Sequence, residues 1–245
     1  MKDNFSSQAD AYLRFRPSYP KELLQLISKI VPNKDAVWDV GTGNGQLAVM
    51  LSDLFQNVYA TDISERQLQN AIARPNIQYS KQSAELTNFS SNQFDLIAIA
   101  QAIHWFDFEA FYREVKRTLK QGGVIVIVGY GLVRVNKEID LIIDRFYHEI
   151  VGPYWDLERR YVDEAYSTIP FPFEEVIDTP QIKLESDMSL EQLLGYLNSW
   201  SAVQHYKNDN GTNPLDQIQD NLREVWVSET FEVTHSFFMR IGKNV

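Results

Sequence analysis

The 245-residue chain contains no cysteine. Disulfides, thiolate nucleophiles and cysteine-ligated zinc are therefore excluded. It has no run approaching the roughly 18 apolar residues that cross a membrane, so no membrane segment is expected. The stretch Met1 to Asp10 is polar and lacks the apolar heart of a signal peptide, which makes the cytoplasm the expected location. Positive charge is also short. There are 23 Lys and Arg against 33 Asp and Glu, for a formal net charge of −10. Nucleic-acid binding rests on cationic contacts to phosphate, so nucleic acid is not an expected partner. The four histidines (His104, His148, His205 and His235) show no metal-binding spacing. No metal is expected.

What is present is a glycine-rich turn. Residues 37–45 read Val-Trp-Asp-Val-Gly-Thr-Gly-Asn-Gly and run directly into an apolar helical stretch. Alternating glycines let the backbone turn tightly and approach a ligand, because no Cβ intervenes. The helix behind them presents free N–H groups to whatever fills the loop. Residues 43–48 also fit the dinucleotide fingerprint G-x-G-x-x-G/A. A dinucleotide brings a pyrophosphate, which Asp39 at the strand tip would repel. S-adenosylmethionine (SAM) brings no phosphate, and its methionine end carries an amino cation that an acid attracts. Charge placement therefore favours SAM over NAD.

The rest of the first half alternates strands and helices. Residues 21–31 have helical periodicity, and Pro32-Asn33 ends it. Strands are expected near 36–40, 57–61, 76–80, 94–100 and 124–128, and helices near 45–54, after Ser64, and near 107–119. Continuous apolar strands alternating with helices indicate a parallel sheet covered on both faces. Beyond residue 130 the alternation stops. Helices are expected over 137–151, 155–168, 189–200 and 214–226, with a strand in 175–184. Period-two alternation from Phe231 to Ile241 then predicts a last, antiparallel strand in the same sheet. The expectation is one domain over 1–245, with a helical cap within 130–228.

In an open α/β sheet, ligands bind beyond the C-terminal ends of the strands. Those ends carry Asp39 with the glycines, then Asp62, 21 residues after Gly41, then Ala84-Glu85, then Gln101 to Phe106. A carboxylate at Asp62 suits the two ribose hydroxyls of either nucleotide, and a small Ala84 lets backbone meet an adenine edge.

These residues resemble a known family. Segment 39–45, Asp62, Gln82-Ser83-Ala84-Glu85 and Ala100-Gln101-Ala102-Ile103-His104-Trp105-Phe106 look like those of a class I SAM-dependent methyltransferase. The flanks Tyr12 to Pro20 and Leu190 to Tyr206 are similar to the small-molecule branch that includes trans-aconitate and cantharidic-acid-type O-methyltransferases. The resemblance implies a Rossmann-like α/β fold, with a seven-stranded, mostly parallel sheet in the order 3-2-1-4-5-7-6. Strand 7 would be antiparallel, and SAM would be the methyl donor. It implies that Gly41 and Gly43 face the methionine moiety and Asp62 the ribose. Ile63 would pack on the adenine, with Ala84 and Glu85 at its edge. Thr42, Gln67 and Ala100 complete the expected cofactor set with Asp39. Gln101 and His104 would lie near the sulfonium or the acceptor, and Tyr12 and Arg16 would close over the site as part of an N-terminal lid, residues 1–20.

Methyl transfer from a sulfonium needs mainly an acceptor held in line with the methyl. A carboxylate acceptor needs no base; a hydroxyl is helped by one, and His104 is the candidate. Trp105, Trp155 and Trp200 are expected to line the acceptor site with His104. Arg134, Arg145, Arg159 and Arg160 are available for an acidic acceptor, or equally for solvated helix faces. Two other functions fit parts of the pattern: an NAD-linked oxidoreductase, for which no Tyr/Lys pair stands out, and a SAM-binding protein without turnover.

Overall fold

The computed structural model describes residues 15–176 and 179–245. The expected alternation folds as β1 (Ala36–Val40), β2 (Asn57–Asp62), β3 (Ile77–Lys81), β4 (Phe94–Ala100) and β5 (Leu119–Arg134), all mutually parallel. The last strand, β8 (Phe231–Lys243), runs antiparallel to β5. Two short strands, β6 (Glu174–Glu175) and β7 (Leu184–Met188), pair with β8. The sheet order is β3-β2-β1-β4-β5-β8-β6, with β7 beside β8. This is the expected order with one strand added; the extra strand shifts the antiparallel one from seventh to eighth in sequence.

Strand alternation builds a core on each face. Val37, Leu96, Ala98, Val124, Val126 and Val128 point to one side, where they meet Leu23 and Ile27 of α1 (Lys21–Ile30) and Leu47 and Leu51 of α2 (Gln46–Ser52). Trp38, Ile97, Ile99, Ile125 and Ile127 point to the other, against Phe111 and Val115 of α4 (Phe108–Thr118). The short helix α3 (Glu65–Gln69) follows β2, and the Ser64 side chain caps it by accepting from the Gln67 N–H. Helix α4 is capped in the same way by Asp107, from the Ala110 N–H.

The second half departs further from expectation. Residues 137–151 form α5 (Lys137–Arg145) and then a wide π turn, Phe146–Ile150, which turns Phe146 and Tyr147 inward. The helix expected over 155–168 is only α6 (Arg159–Asp163), because Ala165 and Tyr166 adopt left-handed φ values of 50° and 59°. The strand expected over 175–184 is instead the two short pieces β6 and β7. Helix α7 (Leu190–Asn198) opens with the expected capping box of Ser189 and Gln192. It is followed by α8 (Ser201–Asn210), a segment in which no helix was expected. The helix expected over 214–226 begins as a 3₁₀ turn, Pro214–Gln217, and becomes α9 (Gln219–Val225). Together these segments enclose a third core around Phe146, Leu193, Leu197, Trp200 and Leu222, above the C-terminal end of β5.

Candidate functional site

The turn from β1 into α2 is built by its glycines. Gly41, Gly43 and Gly45 have φ values of 66°, 56° and 86°, in the left-handed region where other residues are strained. A Cβ on Gly41 would lie 2.7 Å from the Cβ of Ala102, so the loop after β4 closes directly over it. A Cβ on Gly43 would meet nothing nearer than 4.0 Å, so that part of the turn faces open space. Asp62, at the tip of β2, holds the turn: its Oδ2 accepts from the Gly43 N–H at 2.9 Å and its Oδ1 from the Ser64 N–H at 2.8 Å.

A cavity opens beside this turn. Its lining brings together most of the expected cofactor residues: Asp39, Gly41, Thr42, Gly43, Asp62, Ile63, Gln67, Ala100 and Gln101. Asp39 is fully buried, and burial pushes its carboxyl up to about 7. The Thr42 hydroxyl, donating to Asp39 Oδ2, and a backbone N–H oppose that shift; nearby Asp62 adds to it. Among the described residues the lining holds two carboxylates and no lysine, arginine or histidine. That donor set suits a ligand bearing a cation and hydroxyls and is unsuited to a pyrophosphate.

The structure sets the other expected residues elsewhere. Ala84 is packed in the core with Trp38 and Phe94 and does not line the cavity. Glu85 also stands outside the lining, where it accepts from the Asp107 N–H at 3.2 Å. Arg16 lines not this cavity but the neighbouring one. Tyr12 lies outside the described residues, as does most of the expected lid. Several lining residues stood outside the expected cofactor set: Tyr19, Asn44, Ala102, Phe106 and Tyr130. Asn44 sits between two of the glycines, buried, and its Nδ2 has no hydrogen-bond partner. Tyr130 stands at the C-terminal end of β5, where the strand-tip rule points.

A second cavity, about 490 Å³, adjoins the first and shares Gln101 and Trp105 with it. It gathers the expected acceptor residues His104, Trp105, Trp155 and Trp200, and adds Arg16, Asp156 and Arg159. The Arg16 Nη2 donates to the Ser199 carbonyl at 3.2 Å, and the guanidinium lies 5.4 Å from the centre of the Tyr196 ring. Phe15 packs so closely on α7 that a Cβ on Gly195 would come within 2.7 Å of its ring. Arg159 stacks over Trp155 at 4.6 Å and donates through Nε to Tyr147 Oη at 2.7 Å and Asp163 at 3.2 Å. No bond from its two Nη groups to a described residue is formed, so the fork is left for the cavity. Burial, reinforced by the Arg159 charge, pushes His104 down to about 3, so its imidazole is neutral at physiological pH. Among the described residues no cluster of three histidine or acidic side chains is placed to hold a metal ion, and no helix is long and apolar enough to cross a membrane.

Residues 38–127 match the family model described as a methyltransferase domain. A Dictyostelium discoideum protein named as a methyltransferase is 32% identical over 98% of this chain and 95% of its own length. A Mycobacterium tuberculosis protein, also named as a methyltransferase, is 33% identical over 91% of this chain and 86% of its own. Among solved structures, an Anaeromyxobacter dehalogenans protein assigned as a type II methyltransferase superposes with a TM-score of 0.86 at 35% identity. That match covers 94% of this chain and 99% of the other. With full-length relatives at this identity, the same sheet and a glycine turn of matching chemistry, the chain belongs to the class I SAM-dependent methyltransferases.

Proposed function

We propose that the chain methylates an oxygen, carboxylate or hydroxyl, of a small molecule held in the cavity of Trp105, Trp155 and Trp200. The observation that carries this reading is the common wall: Gln101 and Trp105 line both cavities, so a donor in one and an acceptor in the other meet there. Bound SAM supplies a sulfonium-activated methyl group and leaves as the neutral thioether. Asp39 would hold the amino cation and Asp62 the ribose hydroxyls, with Gly41, Thr42 and Gly43 against the methionine end. Ile63, Gln67 and Ala100 would flank the adenosine, and Ala84 and Glu85 would reach its edge only by backbone. His104 and the three tryptophans would shape the acceptor site. The free fork of Arg159 suits an anionic group on the acceptor, since guanidinium pairs with carboxylates in a bidentate manner.

The same reading places the protein with the trans-aconitate and cantharidic-acid-type branch. It takes 1–245 as one domain, with 1–20 as a lid and 130–228 carrying the acceptor cap. The Arg16 and Phe15 contacts to α7 and its C-terminal end support the lid. The net charge of −10 supports a small acceptor in the cytoplasm rather than a nucleic acid. Calorimetric titration with SAM, S-adenosylhomocysteine and NAD(H) tests the cofactor site. Binding of both adenosyl ligands and not of NAD(H) is expected; binding of NAD(H) alone would overturn the reading. Labelled SAM with a panel of hydroxylated and carboxylic acceptors then tests the acceptor. His104→Ala should lower turnover while leaving SAM affinity unchanged.

A further inference from the structure

His104 does not stand alone in the acceptor cavity. Its Nδ1 lies 3.0 Å from Tyr166 Oη, and Tyr166 Oη lies 3.3 Å from Gln101 Oε1. The other end of the Gln101 amide is fixed, with Nε2 donating to the Tyr130 carbonyl at 2.8 Å. A backbone carbonyl only accepts, so the amide nitrogen must face it and the amide oxygen must face Tyr166. That oxygen also only accepts. The Tyr166 hydroxyl therefore spends its single proton on Gln101 and offers His104 a lone pair. Nδ1 must then be the protonated nitrogen. Reversing Tyr166 toward His104 would set the lone pairs of Gln101 and Tyr166 against each other.

The chain costs the backbone something to assemble. Gln101 has a φ of 53° and Tyr166 a φ of 59°, both in the left-handed region and neither a glycine. Tyr166 is fully buried, its ring set edge-on to Phe238 at 5.0 Å. Its carbonyl is held by Arg240 at 3.2 Å. The phenol is thus brought from the cap and fixed beneath the imidazole. His104 Nε2 makes no hydrogen bond to a described residue, and the ring lines the acceptor cavity.

We infer that Gln101 and Tyr166 are positioning residues that hold His104 as the Nδ1–H tautomer and present Nε2 to the cavity as the proton acceptor for a hydroxyl. This rests on the methyltransferase reading above and decides between its two oxygens. A carboxylate brings no proton and would face the Nε2 lone pair with lone pairs of its own. A hydroxyl donates to Nε2 and aims its own lone pair elsewhere, toward the methyl carbon. The acceptor oxygen bonds to that carbon as the sulfur–carbon bond breaks and its electron pair stays on sulfur. The hydroxyl proton passes to Nε2 and from the imidazolium to water. The neutral, weakly basic imidazole favours a late transfer, once the oxygen has become strongly acidic by alkylation. Arg159 opposes a lasting imidazolium, so the proton is shed and the base restored.

The test is nitrogen-15 NMR of the whole protein labelled at histidine, without cofactor or acceptor. His104→Gln identifies the His104 resonances among the four histidines. The expected pattern is a protonated Nδ1 and an unprotonated Nε2. Tyr166→Phe keeps the ring and its packing but removes the hydroxyl, and should shift population to the Nε2–H form. An Nε2–H tautomer in the unmodified protein, or no change in Tyr166→Phe, would overturn the inference. Titration with phenol and with benzoate, in the presence of S-adenosylhomocysteine, tests the acceptor class. An upfield, hydrogen-bond shift of the Nε2 resonance is expected with phenol, whereas benzoate, which the Arg159 fork can hold, should give no such shift. An equal response to both, or none to phenol up to its solubility limit, would refute the hydroxyl assignment. Failure of S-adenosylhomocysteine to bind, measured by calorimetry in the same samples, would refute the methyltransferase reading itself while leaving the tautomer result to stand or fall alone.

Discussion

Asp39 and Asp62 carry the argument at the scale of single residues. Burial raises the Asp39 carboxyl from 3.8 to about 7, so in the ligand-free protein it keeps a proton that the unfolded chain releases. Between about pH 4 and about pH 7 the folded state therefore binds more protons than the unfolded state, and this group's contribution to stability is lost as pH rises through that window. Asp39→Asn removes the dependence. Thermal unfolding followed against pH should show the variant gaining on the unmodified protein up to about pH 7 and no further. Parallel curves would mean that Asp39 is already ionised. The same carboxyl should release its proton when a cation docks beside it. Titration with SAM near neutral pH, in buffers of different ionisation heat, should report proton release from the unmodified protein that is smaller in Asp39→Asn. Asp62 orients the glycine turn through the Gly43 and Ser64 amides, so Asp62→Ala removes two acceptors of the loop and, on the proposed reading, a ribose partner. Its SAM affinity should fall by about tenfold or more, the scale of one lost charge-assisted hydrogen bond. Unchanged affinity would move the ribose elsewhere.

The elements differ in how legible they were. Strands β1 and β4 were visible because each is buried on both faces and therefore mostly apolar, β2 and β3 by their place in the strand–helix alternation, and helices α1 to α4 because each carries a cap or a periodic stripe. The cap was less legible for physical reasons that can be named. Left-handed Ala165 and Tyr166 end α6 early, and nothing in their residue types announces it. Helix α8 buries only Ser201, Ala202 and Val203 of its first turn, so it carries no apolar stripe for a sequence to show. The cavity beside the glycine turn was readable because its residues sit at strand tips, close to that turn. The Gln101–Tyr166–His104 chain was not, since it joins residues more than 60 apart through one hydroxyl. The turn itself offers a test at this scale. Gly41→Ala places a side chain in a left-handed backbone, at about 1–2 kcal/mol, and drives its Cβ into Ala102. It should unfold at lower urea than the parent protein and bind SAM more weakly. By contrast, Ser189→Ala removes the side-chain half of a capping box that lines neither cavity. It should cost about 1 kcal/mol and leave SAM affinity intact. A variant that lost binding but not stability at Ser189 would show that the cap and the cofactor site are coupled.

At the scale of the molecule, the question is whether the cap is a separate unit or part of one. The sheet cores and the cap core share their central strands. On β5, Val124 to Val128 lie in the two sheet cores while Tyr130 and Val133 lie in the cap core. On β8, Ile241 belongs to a sheet core and Val233 to the cap core. The antiparallel pairing of β5 with β8 runs from Val124 opposite Lys243 to Arg134 opposite Thr234, with a shift in register between Tyr130 and Val133. A cap that unfolded alone would have to strip half of each strand from its partner while the other half stayed paired. That exposes buried backbone groups of a ladder, each costing about as much as a lost hydrogen bond. Cap and sheet should therefore melt together. The tryptophans make this measurable, because Trp38 is buried in a sheet core and Trp200 in the cap core. Variants keeping only one of these two tryptophans, followed by fluorescence in urea alongside far-ultraviolet circular dichroism, should give superimposable transitions. An earlier transition at Trp200 would instead make the cap a unit that opens on its own above a standing sheet.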